Sequence, residues 1–313
     1  MSPLPSRPDA PTDLREVAAQ AFRERLAPLF EAAAPWPNAT EVLVDGDEVR
    51  VDTGDHMVQL EPGKLRGVVE HHIRAAIDAA AVFAGVEFGS TGTALPILSV
   101  KLPPDLRVSC SVPPASNRLH LAIRFLRARD LSLDDYIAQQ VISTPQADQL
   151  RELLAHRKNV LVSGGTSTGK TTLLRALLRE IADHERLVVL EDTPELALDG
   201  WNTVEMRTTP DLDLSALLRQ ALRMRPDRLI LGEARGPEAL ELVRAMNTGH
   251  DGTLATLHSD GAEEAIRRLH TLVAEAQPIF PLAAIRAAVD HVVQLTGRGA
   301  IRRVTEIWQV PKG

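Results

Sequence analysis

The stretch LVSGGTSTGKTTLLRALL, residues 161 to 178, halts an apolar run in small and hydroxyl residues and then reopens it as a helical pattern. Gly164, four further residues, then Gly169, Lys170 and Thr171 have the spacing of a phosphate-cradling loop. Glycines let the backbone turn tightly, so the N–H groups of Gly165, Thr166, Ser167, Thr168 and Gly169 can point inward at phosphate oxygens. The helix opening near Lys170 adds its unpaired N–H groups, through Thr171 and Thr172, and the positive end of its dipole. Lys170 reaches the β and γ phosphates, and the Thr171 hydroxyl is placed to ligate Mg²⁺. This chemistry is that of a nucleoside triphosphate bound with Mg²⁺.

Carboxylates and histidines follow. RLVVLEDTPEL puts Glu191 and Asp192 at the C-terminal end of an expected parallel strand, where open α/β sheets hold their ligands. Glu191 could polarise an attacking water, with Asp192 and Glu195 holding Mg²⁺ through waters; a carboxylate pair that merely caps a helix is the plainer alternative. PDRLILGEARGPEA is another strand running into Gly232 and Glu233. The Asp usual after such a strand is absent, and Glu233 stands one residue later, fit for metal or water. His250 and His258 flank a third short strand in TGHDGTLATLHSDGAEEAIRRL. Either imidazole could sit beside a γ-phosphate or reach Glu233, His258 being favoured; their spacing does not suit zinc. LRQALRMRPDR contributes Arg219, Arg223, Arg225 and Arg228. Such a basic run is usually a solvated helix face. Arg223 and Arg225 are also candidates for charge delivered to a neighbour's phosphoryl-transfer site.

The segments that carry and flank these groups divide the chain. A length of 313 residues suggests about two domains. A Pro- and Ser-rich start is followed by a helical period from Thr12, capped by Thr12 or Asp13. Leu14, Val17, Ala18, Phe22, Leu26 and Leu29 fall on one face of it. TEVLVDGDEVRVDTG reads as a hairpin, GKLRGVVEHHIRAAIDAAAVFAG as a helix, and LPILSVKLPPDLRVSCSVPP and RLHLAIRFL as further strands. We therefore expect an α+β domain over residues 1–128, a linker over 129–142, and an α/β domain over 143–313, where short apolar strands alternate with helices up to GTLATLH. The single cysteine, Cys110, forms neither an internal disulfide nor a zinc site. The opening residues lack the apolar core of a signal peptide, and no apolar run reaches the length of a membrane-spanning helix, so a cytoplasmic chain is expected. A net charge of −7 argues against direct nucleic-acid binding by this chain.

GGTSTGKTT, LEDTPEL, LRMRPDRLILGEARGPEAL and NTGHDGTLATLHSDGAEEAIRRL occur in the order and spacing of the secretion-superfamily traffic ATPases. The wording most resembles the conjugal-transfer branch, the TrbB-like ATPases of type IV secretion systems, over residues 145 to 300. The resemblance implies a RecA-like C-terminal domain, a smaller N-terminal domain, a homo-hexameric ring, and nucleotide bound between the domains. It implies catalytic roles for Glu191, for Glu233 as the Walker B acid, and for His258, and it brings Arg107 and Arg124 of the N-terminal domain to the phosphates. The family usually reads a lysine after the second arginine; here Phe125 follows. One cysteine excludes the four-cysteine metal insertion of pilus and type II relatives. The expected function is a ring ATPase powering type IV secretion or conjugal transfer, docked on inner-membrane components with peripheral membrane contact. The alternatives are a pilus or type II assembly ATPase, a nucleotide-gated scaffold, and a small-molecule kinase.

Overall fold

The structure, a computed structural model, describes residues 14–36, 39–54, 56–60, 70–90, 92, 94–103, 105–125, 131–193, 195–196, 198, 200–209 and 211–312. The expected N-terminal tail and helix cap, the first residues of the second expected helix, and residues 126–130, with the first two of the expected linker, lie outside them. The chain divides into two compact units, Met1–Arg127 and Ala128–Gly313.

In the first unit, α1 (Leu14–Arg25) and α2 (Ala27–Ala33) precede a hairpin of β1 (Glu41–Asp45) and β2 (Glu48–Asp52). Then come β3 (Met57–Gln59), α3 (Glu70–Ala84), β4 (Ile97–Leu102), β5 (Leu106–Ser111) and β6 (His120–Phe125). The six strands form one sheet in the order β3-β2-β1-β6-β5-β4. Alternation does the sorting. Val42, Val44, Val108, Leu121 and Ile123 turn to a core shared with Phe22, Leu26, Leu29 and Ile77, while the intervening residues form the opposite face. The apolar stripe of α1 is shorter than expected, because Leu14 and Val17 stay exposed.

The second unit opens with α4 (Leu133–Ala138) and α5 (Thr144–Ala155). Residues 131–142, expected as linker, are instead part of this unit's packing. Ser132 and Ser143 each close a capping box, and Leu133, Tyr136, Val141 and Ile142 are buried against α5 and the sheet. Asp134 and Asp135, two of the charged residues that suggested a linker, lie exposed on the first turn of α4. β7 (Val160–Gly164), α6 (Lys170–Leu178), β8 (Leu187–Glu191), β9 (Thr203–Arg207), α7 (Leu214–Ala221), β10 (Arg228–Ala234), α8 (Glu238–Asn247) and β11 (Leu254–Leu257) follow. α9 (Ala262–Ala276), α10 (Leu282–Ala288), β12 (His291–Thr296) and β13 (Arg303–Gln309) complete the unit. The sheet order is β13-β12-β7-β11-β10-β8-β9, parallel except for the edge strand β13.

The central strands are buried on both sides, as in an α/β fold. Leu161, Val188, Leu190, Leu229 and Leu231 face α7 to α10, whereas Val160, Val162, Val189 and Ile230 face α4 to α6. The β12–β13 hairpin lay beyond the last strand read from the sequence. It places one further parallel strand directly beside β7, with Leu295 level with Gly164.

Candidate active site

β7 delivers its chain into the loop 165–169 and then into α6, with β11 on one flank and β12 on the other. A side chain at Gly164 would come within 2.6 Å of the Leu295 carbonyl and 2.7 Å of Thr168 Oγ1. The motif's first glycine is thus required by close packing. The loop is held by Thr168 Oγ1 and Lys170 Nζ, which each donate to the Gly165 carbonyl at 2.9 Å. Thr168 and Lys170 are buried, Thr166 and Ser167 are exposed, and Thr171 and Thr172 lie half-buried on the first turn of α6.

Lys170 Nζ lies 3.3 Å from His258 Nδ1. His258 Nε2 lies 2.8 Å from Glu233 Oε1, and the other Glu233 oxygen pairs with Arg235. The structure therefore brings together Lys170, Glu233 and His258 and adds Arg235, which sequence reasoning missed. The available signal was its place two residues after Glu233 at a strand end. Lysine has only protons to give and an ionised carboxylate only lone pairs, so a neutral His258 ring carries its proton on Nε2. Burial, followed by the Lys170 charge beside it, holds His258 below its ordinary value of 6.5 and so neutral at pH 7. Burial likewise lowers the Lys170 ammonium, against the pull of Glu233.

An NMR titration should place the His258 midpoint below 6.5. The unfolded chain then takes this proton at a higher pH than the folded one. Stability contributed by the neutral ring is complete above about pH 6.5 and is lost as the pH falls below it.

Glu191 ends β8, the strand paired with β10, and is buried. Its Oε1 accepts from the backbone N–H of Glu195 at 2.9 Å and of Leu196 at 3.1 Å. Among the described residues no helix follows directly for it to cap, and these two backbone bonds use one oxygen of the two. Burial raises its pKa, outweighing the two backbone bonds that lower it. Gly232 explains the missing Asp on β10: a Cβ there would sit 2.9 Å from Glu191 Cγ. The glycine makes room for the carboxylate of the adjacent strand. Asp192 is exposed and Glu195 half-buried. Asp192 acts electrostatically on Arg235, and Glu195 on both Lys170 and Arg235. Thr171, Asp192 and Glu233 offer only hard oxygen donors. Such a sparse set suits Mg²⁺, which keeps waters and substrate phosphates in its shell.

Other candidates fall elsewhere. His258 follows the C-terminal end of β11, but His250 precedes its start and lies at the opposite end of the sheet, where its carbonyl accepts from Thr253 Oγ1 at 2.7 Å. Chain direction separates the two histidines. Arg223 and Arg225 are exposed before the start of β10, again at the end away from this chain's phosphate loop. Arg219 pairs with Glu241 on the surface. Arg228 is structural: its guanidinium makes two 2.9 Å bonds to Glu185 and a 2.8 Å bond to the Leu154 carbonyl, all buried. Arg228→Ala would leave Glu185 with only the exposed Arg157 and should cost about 3 kcal/mol in chemical denaturation.

In the first unit, Arg107 and Arg124 are direct cross-strand partners on the face away from the core, with Lys101 opposite Arg107 and Glu41 opposite Arg124. Lys101, Arg107 and Arg124 make this row a mainly basic strip that ends in Glu41. Phe125 packs edge-on against Phe30 at a centroid distance of 5.9 Å. The residue that departs from the family wording therefore belongs to the core packing.

The model of the type II/IV secretion system protein family matches residues 49–302. A conjugal transfer protein TrbB of Rhizobium radiobacter is 41% identical over 216 residues, 68% of this chain and 67% of its own length. A type IV secretion system protein VirB11 of Bartonella henselae is 32% identical over 263 residues, covering 69% and 74% of the two chains. Among solved structures, the VirB11 ATPase of the Brucella suis type IV secretion system, in complex with sulphate, aligns over 95% of this chain and 97% of its own at a TM-score of 0.50 and 26% identity. With its phosphate loop, paired acids and RecA-like sheet, the chain belongs to the type II/IV secretion system protein family, as a TrbB-like ATPase of it.

Proposed function

We propose that this chain hydrolyses ATP with Mg²⁺ in a homo-hexameric ring and that domain motion driven by that cycle powers a type IV secretion or conjugal-transfer apparatus. The observation that carries the reading is the run Lys170–His258–Glu233 beside the phosphate loop, with Glu191 buried on the adjacent strand. The residues take the following roles. Backbone N–H groups of residues 164–172 cradle the phosphates, and Lys170 neutralises the β and γ oxygens. Thr171, Asp192 and Glu233 hold Mg²⁺, which when bound draws charge from the β and γ phosphates. Glu191, with Oε1 fixed by two backbone bonds and a raised pKa, uses its other oxygen to orient water and take its proton. His258, neutral, relays the state of Lys170 to Glu233 and makes the pair sensitive to the γ-phosphate. Arg107 and Arg124 add positive charge to the phosphates from the N-terminal domain.

Among the described residues no helix is long and apolar enough to cross a membrane. We place the ring on the cytoplasmic side, docked on inner-membrane components of the apparatus, without direct nucleic-acid contact. Phosphate release from ATP by the purified chain tests the reading. Release that needs Mg²⁺ and stops on chelation supports it. ATP binding with no release in any assembly state contradicts it and favours a nucleotide-gated scaffold.

A further inference from the structure

The β12–β13 turn, residues 297–303, reads GRGAIRR: three arginines and no carboxylate in a chain of net charge −7. The hairpin brings it beside the phosphate loop. Gly169, the residue before Lys170, has φ +91°, and a Cβ built on it would lie 3.0 Å from Arg302 Cζ and Nε and 3.2 Å from Nη1. The Arg302 guanidinium therefore rests on the glycine itself, and a side chain at position 169 would push it aside by a few tenths of an ångström. Arg303 does a different job: its Nη1 donates to the Ala300 carbonyl at 3.1 Å and the Arg302 carbonyl at 2.6 Å, closing the turn on itself. Ile301, 73% exposed, stands next to Arg302 at the surface.

The direction of a bound nucleotide follows from the strand order. Lys170, His258, Glu233 and Glu191 define the γ-phosphate end, and β11, β10 and β8 all lie on one side of β7. β12 and its turn lie on the other. A nucleotide whose γ-phosphate meets the first group can extend its sugar and base away from it, toward the second. A planar guanidinium fixed there offers what a base face accepts, stacking with a cation–π component, and it makes no demand on the base's hydrogen-bonding edge.

We propose that the β12–β13 turn is the nucleoside wall of the site and that the Arg302 guanidinium stacks on the base of the bound nucleoside triphosphate. This rests on the nucleotide reading above and extends it to a residue outside the phosphate loop and the acidic segments. Because stacking reads area and not hydrogen bonds, ATP and GTP should bind alike.

The test is calorimetric binding of ATP, ADP and inorganic tripolyphosphate to the full chain and to its Arg302→Ala and Arg302→Lys variants, with Tm recorded for each. The expected result is a loss of about tenfold for ATP and ADP alike in both variants, with tripolyphosphate binding unchanged. Lysine keeps the charge but lacks the plane, so it should not rescue. If tripolyphosphate binding falls equally, Arg302 serves the phosphate loop and the proposal is overturned. Full rescue by lysine, or unchanged ATP affinity, also overturns it. A wild-type chain that binds neither ATP nor tripolyphosphate would instead remove the nucleotide reading itself.

Discussion

Glu191→Gln is expected to bind ATP as the wild type does and to hydrolyse it roughly 1,000-fold more slowly, within the usual range for loss of a positioned base. The substitution is narrow. A glutamine carbonyl oxygen can still accept from the backbone of Glu195 and Leu196, so the turn after β8 should persist. It still fits the space that Gly232 leaves open. What is lost is the proton-accepting oxygen. Because burial raises this carboxyl above its ordinary value of 4.5, the acid limb of the wild-type pH–rate profile should lie above that of a solvated carboxylate. Activity falls as the pH drops through the raised value, since only the ionised form takes a proton. Steady-state phosphate release, paired with an equilibrium ATP titration, separates the two effects. Weakened binding with normal turnover per bound nucleotide would give Glu191 a structural role only.

Lys170→Ala is expected to weaken ATP binding by about 100-fold, because a charge-assisted contact in a partly buried site is worth about 3 kcal/mol and each ~1.4 kcal/mol is tenfold. A second consequence follows from the geometry. Lys170 is the donor that faces His258 Nδ1, and its charge is the second-largest cause that keeps the ring neutral. Removing it should move the His258 titration midpoint upward, toward the solvated value, in the same protein that loses ATP. Fluorescent-nucleotide binding and an imidazole NMR titration read both arms. An unshifted His258 would mean that Lys170 and His258 are not in contact in solution.

The phosphate loop was legible because it is local: its glycines, lysine and threonine are consecutive, and the strand before and helix after them are short-range patterns. The acids at the ends of β8 and β10 were legible for the same reason. Gly232 could not be understood from its own segment, since its cause is the side chain of Glu191 on another strand. Arg302 was invisible for a related reason. It lies 133 positions after Gly169 in sequence and touches it only because β12 pairs with β7. Arg228 looked like one more arginine of a solvated run, and only the burial of its partner Glu185 shows that it is a staple. Residues 131–142 read as linker because charge in a short stretch looks the same on a coil as on the outer face of a capped helix. The two histidines around β11 could have been told apart without the fold, from strand direction alone.

The proposed function requires that a ring of this chain turn over ATP. Its most direct test is ATP hydrolysis measured on size-separated purified protein, with mass recorded by light scattering on the same fractions and Lys170→Ala as the blank. Mg²⁺-dependent turnover should travel with a sixfold assembly and be absent from the blank. A sixfold assembly that binds ATP and releases no phosphate, or turnover found only in fractions of single chains, would contradict it.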